Sequence, residues 1–147
     1  MIKDTYEYNS IPNKTVFIFY SEGKKGKIKK GIIFTKMGGN LWNLAFGDVV
    51  EGDIEDSIIN NNHDFVKLFA TIAKATYEFS AQYPKREIHI EPVDEKRKKL
   101  YNHIFRRHYE DINLLFHITG IYLDSEKEDY SPQKNYDFFR LKRKFVK

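Results

Sequence analysis

The chain has 147 residues, a formal net charge of +4, and 41% hydrophobic residues, twelve Phe and ten Tyr among them. A chain of this size buries roughly 70% of the surface it exposes when unfolded, so one domain spanning 1–147 is expected; so many rings argue against disorder. The absence of cysteine excludes a disulfide framework and thiolate or zinc-thiolate chemistry.

The N-terminal stretch is polar, and no run approaches the roughly 20 apolar residues of a membrane span. The expectation is a soluble cytoplasmic protein. Basic residues cluster at Lys24–Lys30, Lys96–Lys99, Arg106–Arg107 and Arg140–Lys144, and acidic ones at Glu51–Asp56 and Asp124–Asp129. Such asymmetry suits nucleic acid or an acidic partner, or simply makes solvated faces.

Thr15–Tyr20 is β-branched and aromatic and predicts a strand. Glu22–Gly26 carries two glycines and predicts a turn. Lys27–Lys36 follows as a second strand, Met37–Asn40 as a second turn, and Leu41–Val49 as a third strand. The short turns imply an antiparallel meander. After a polar stretch, Asn60, Asn61 and Asn62 offer helix caps, with Asp64 in the first turn. Phe65, Leu68, Phe69, Ile72, Thr76 and Phe79 form an apolar stripe on a helix reaching about Gln82. Glu87–Glu91 predicts a strand with Ile88 and Ile90 on one face and His89 on the other. Asp94 caps a second helix, on which Arg97, Leu100, Tyr101, Ile104, Phe105 and His108 share a face. Asn113–Leu123 predicts a long strand and Asn135–Lys144 a final one paired with it. The expected fold is α+β, in the order β-β-β-α-β-α-β-β: a mostly antiparallel twisted sheet with helices packed on it. A crossover through the long helix would set the fourth strand parallel to the third. Long aromatic strands leave possible edges, so a homodimer is an open expectation.

Two alternatives stand at Lys30. Ile28, Lys30, Ile32 and Phe34 share one strand face. If that face is the core, Lys30 is an inward charge that needs a carboxylate, because an unpaired buried ammonium is costly. Asp48 and Asp64 are the candidates, and with Arg97 they would form a polar pocket at one end of the sheet. If Ile33 faces the core instead, Lys30 is solvated, as lysines usually are. His63, His89, His103, His108 and His117 show no metal-ligand spacing. No P-loop, dinucleotide glycine pattern or nucleophile elbow occurs. Lys24–Lys30 beside Phe19 and Tyr20 mixes cations with rings, as single-stranded nucleic-acid binding requires.

Asp94, Arg97, Leu100 and Tyr101 stand where the last helix of GNAT-type N-acetyltransferases often has Asn, Ala, Leu and Tyr, and the element order resembles that core over roughly residues 15 to 144. The resemblance implies a GNAT-like scaffold with Tyr101 as a general acid. That family cradles coenzyme A phosphates on a glycine-rich loop opening its main helix. Residues 53–64 offer no glycine there and four acidic groups, so no cofactor is expected. The chain also resembles a family of small bacterial proteins of unknown function, through Ser21–Lys30, Trp42–Asp48, Asn61–Asp64, Ala70–Ala73, and Arg97 with Leu100–Tyr101. The leading expectation is a non-enzymatic interaction or regulatory module that meets a protein or acidic ligand. A divergent acyl-CoA-dependent N-acyltransferase and a nucleic-acid-binding protein are the alternatives.

Overall fold

Gly23 to Gly26 and Gly38 to Leu41 each reverse the chain within two residues. The structure, a computed structural model, describes residues 4–11, 15–55, 64–81 and 83–144. Among these it holds nine strands, in a large and mostly antiparallel sheet, and three helices. The residues cluster in two compact units. One contains Ile2–Thr35 and Leu44–Phe79, here the N-terminal unit; the other contains Lys36–Asn43 and Ser80–Lys147, the C-terminal unit.

The N-terminal unit is built on β1 (Tyr8–Ser10), β2 (Val16–Gly23), β3 (Gly26–Gly38), β4 (Leu41–Val50) and β5 (Asp53–Glu55). Gly26 closes the first hairpin at φ 83° and Gly39 the second at φ 55°, conformations that cost a side chain and suit glycine. The β2–β3 register sets Phe17 opposite Ile32 and Phe19 opposite Lys30. One sheet face therefore carries Phe17, Phe19 and Ser21 on β2, then Lys30, Ile32 and Phe34 on β3, all buried. Helix α1 (Phe65–Ala81) lies on that face. Its buried stripe is Leu68, Thr71, Ala75 and Phe79, and Phe79 stacks on Phe34 at 4.0 Å. On the opposite face Ile54 of β5 covers Gly31, where an added Cβ would meet Ile54 Cγ1 at 2.5 Å.

The C-terminal unit contains the tip of the second hairpin, β6 (Glu87–Ile90), α2 (Glu95–Arg107), α3 (Tyr109–Leu115), β7 (Phe116–Ile121), β8 (Lys127–Asp129) and β9 (Phe138–Arg143). Its strands run in the order β6-β9-β7-β8, each pair antiparallel, so the last strand in sequence is inserted between β6 and β7. Ile88, Phe139, Leu141 and Ile118 are buried, and Phe105 of α2 stacks on Phe139 at 4.3 Å.

Several expectations change. Asn113–Leu123 is not one strand. Its first residues end helix α3, where Ile112 N–H donates to His108 C=O and Glu110 and Asp111 favour the first turn. The short strands β1, β5 and β8 and helix α3 all lie outside the eight expected elements. Phe65 is exposed, because the stripe facing the sheet is set by Thr71 and Ala75. Asp64 precedes α1 instead of joining its first turn. The caps expected at Asn60 to Asn62, His63, and the 56–63 part of the acidic loop lie outside the described residues.

Candidate functional site

Strand parity turns Lys30 inward, and the β2–β3–β4 face leaves it 0% exposed. Its Nζ lies 2.5 Å from Asp48 Oδ1, and Asp48 is also buried. The ammonium sits 5.9 Å from the centre of the Phe46 ring. Apolar walls weaken screening, so ammonium and carboxylate each require the other.

A second buried network forms where α1 begins. The Asp64 carboxylate accepts the Tyr6 hydroxyl at 2.6 Å and the Ser21 hydroxyl at 2.5 Å, both on Oδ2. Tyr6 also accepts the Glu22 N–H at 3.0 Å, and its own N–H donates to Thr71 Oγ1 at 2.8 Å. Its ring stacks on Phe19, with Lys67 Nζ 4.4 Å from the ring centre. The N-terminal segment, β2 and α1 are thus fastened by a single carboxylate and a single tyrosine. Burial, and then the hydrogen bond to Asp64, raise the Tyr6 pKa above its ordinary value. That hydroxyl keeps its proton and serves as a fixed donor; general acid–base work at neutral pH needs a group displaced the other way.

Arg97 belongs to the C-terminal unit. Asp94 has extended backbone, accepts the Arg97 N–H at 2.8 Å and binds Arg97 Nη1 at 2.7 Å. Helix cap and ion pair are therefore one contact. Tyr101 lies half-buried on the same helix. Of the expected site residues, Lys30 and Asp48 bond each other, Asp64 engages Tyr6 and Ser21, and Arg97 engages Asp94.

Other polar partnerships escaped the sequence reading. Asn102, 4% exposed, pairs with the backbone of Tyr136 on both sides: Oδ1 accepts the Tyr136 N–H at 2.8 Å, and Nδ2 donates to the Tyr136 C=O at 2.9 Å. The Tyr136 hydroxyl donates to Glu128 at 2.7 Å and accepts the Ser131 N–H. Burial first, then the Glu128 bond, raise the Tyr136 pKa; that bond and Lys134 hold Glu128 below its usual range. On β6, His89 is buried between Arg140 and Glu91, each 3.1 Å away. A guanidinium only donates, so His89 Nδ1 accepts from Arg140 and the ring proton sits on Nε2, toward Glu91. Arg86 lies between two rings, 4.5 Å from Trp42 and 4.2 Å from Tyr83, and desolvation lowers its pKa. Only the position of His89 opposite Ile88 and Ile90 was visible in the sequence; its partner Arg140 lies 51 residues away.

Among the described residues no group of three or more His, Asp or Glu could hold a metal ion, and no helix is long and apolar enough to cross a membrane. The surface is cationic in two places. On the β2–β3 hairpin Lys24, Lys25, Lys27 and Lys29 are exposed, and Tyr20, opposite Lys29 in the register, is 52% exposed. On α2 the outer face is basic.

Neither the curated proteins nor the solved structures give a match to the chain. A family match covers residues 2–144, nearly the whole sequence, and the chain belongs to that family, a family of unknown function (DUF6934).

Proposed function

We propose that the protein is a non-enzymatic interaction module on a GNAT-like scaffold, and that its β2–β3 hairpin receives an acidic segment of a partner protein. The carrying observation is Tyr20, a half-exposed ring on a regular strand, set among Lys24, Lys25, Lys27 and Lys29. An exposed tyrosine is a frequent binding hot spot, and the surrounding cations, of which Lys27 is paired with Glu22, steer an acidic partner. The scaffold reading is supported by the insertion of β9 between β6 and β7 and by the capped helix that carries Arg97 and Tyr101. Lys30, Asp48, Asp64 and Arg97 fit the module reading as internal fasteners, since each bonds a neighbouring side chain. A cytoplasmic setting accords with it.

The test is a titration with a short peptide of alternating Glu and Tyr, followed by backbone amide shifts. Shifts centred on residues 20–29, abolished in Tyr20→Ala and weakened in Lys25→Glu, are expected. Shifts elsewhere, or none, contradict the proposal. The acyltransferase alternative is separated by acetyl-CoA. A ligand that binds only the native state raises Tm, by about 2.7 kcal/mol of stabilisation at a hundredfold excess over Kd. The module reading expects no change in Tm.

A further inference from the structure

Helix α2 carries a stripe of basic residues. At about 100° per residue, Lys96, Lys99, His103, Arg106 and Arg107 fall within a single arc of roughly 100°, and Lys96 to Arg107 spans roughly 16 Å along the axis. All five are exposed. The inward faces are occupied otherwise: Phe105 stacks on Phe139, Asn102 binds Tyr136, and Lys98 is drawn to Asp137. The only acidic residue of the helix, Glu95, pairs with Lys98. Arg106 is held in place by the Pro132 carbonyl at 2.9 Å and by Asn135 at 2.6 Å. Among the described residues, the side chains of Lys96, Lys99, His103 and Arg107 have no hydrogen bond or ion pair.

Helix stability accounts for only part of this pattern: Arg106 and Arg107 lie in the last turn, where the dipole favours cations, but the N-terminal lysines have no such reason. Lys96 with Lys99 stands at the three-residue spacing where like charges repel. Lys96 also lies in the first turn, at the positive end of the helix dipole, which favours carboxylates. The arc presents no exposed aromatic or aliphatic side chain, and so lacks the anchor on which a protein partner's affinity depends. A polyanion needs no such anchor, because displaced counterions supply the driving force. We infer that the outer face of α2 binds the phosphate backbone of nucleic acid, through Lys96, Lys99, Arg106 and Arg107, without reading its sequence. This helix belongs to a different unit from the β2–β3 hairpin, and the inference does not depend on that reading.

The test is fluorescence anisotropy of the full chain with labelled duplex DNA and with single-stranded RNA across a salt series. Four phosphate contacts predict a logarithmic salt slope near −3.6 on duplex, or roughly a hundredfold loss of affinity between 50 and 200 mM salt. Lys96→Gln with Lys99→Gln should flatten the slope by about 2, and Arg107→Gln alone by about 1. Lys24→Gln in the hairpin should leave it unchanged. Changing the duplex sequence should leave affinity unchanged. No binding at the lowest salt overturns the proposal, as does an unaltered slope in the folded variants. Polyglutamate of matched charge binding as tightly as DNA also overturns it, by showing a face for acidic protein. If the double variant fails to fold, Arg107→Gln, with a single changed side chain, carries the comparison.

Discussion

Lys30 and Asn102 are both polar and both interior, at 0% and 4% exposure, yet their units satisfy them by different means. In the N-terminal unit a full positive charge is matched by a full negative one, Asp48, beneath aromatic rings. In the C-terminal unit a neutral amide completes the backbone bonds of Tyr136, and the nearby carboxylate, Glu128, stays at the edge where water reaches it. The contrast concerns what happens when one partner is lost. Removing one side of a buried ion pair strands a charge, which is strongly destabilising, whereas replacing both with apolar groups is often neutral. Removing an amide strands only peptide groups, at a smaller cost.

The largest effect should come from Asp48→Ala, which removes the carboxylate bonded to the buried Lys30. A loss of about 3–5 kcal/mol is expected in urea unfolding. Lys30→Met with Asp48→Leu should recover most of it. A double variant as unstable as the single one would remove the claim that the pair matters as a pair. Asn102→Ala should cost less, about 2–3 kcal/mol, because Tyr136 N–H and C=O lose their partner in a dry site. If it matches Asp48→Ala, the distinction between the units fails.

A smaller effect, about 1 kcal/mol, is expected for Tyr136→Phe at neutral pH. Its sharper signature is alkaline. The folded pKa of Tyr136 is raised above the ordinary 10.0, so the neutral form is favoured in the fold. The linked stability is complete below pH 10 and is lost as pH rises above it. Tyr6, Tyr8 and Tyr130 are shifted in the same direction, with burial the first cause in each. Tyrosinate absorbance from these four should therefore appear together with unfolding, and Tyr136→Phe should hold its stability to higher pH. Early ionisation of all ten tyrosines in a folded chain would contradict this.

The legible parts of the fold were those with strong local signals. Gly26 and Gly39 marked both hairpins, Asp94 marked the start of α2, β-branched and aromatic composition located β2, and the flanking turns set off β3 and β4. Helix α3 was hidden because Ile112, Leu114 and Leu115 run directly into the β-branched Phe116–Ile121, with no Gly or Pro at the junction. Strands β1, β5 and β8, at three residues each, are too short to show a period. The facing of Lys30 could not be read because Ile32 and Ile33 are both apolar; Ile54, arriving from β5 over Gly31 on the opposite face, is a tertiary contact that the sequence does not display. For the same reason Tyr6, Ser21 and Arg140 could not be paired with Asp64 and His89 from spacing alone, since these partners are brought together by tertiary structure.

The central claim is that the interior charges fasten the scaffold and that exposed cationic surface carries binding. Its most direct test is peptide binding by the Lys30→Met, Asp48→Leu variant, measured by the same amide-shift titration with the Glu–Tyr peptide. The account predicts a folded variant with the affinity of the unaltered protein and the same shifts across residues 20–29. A folded variant that no longer binds would contradict it, and would place the function in the buried pair itself.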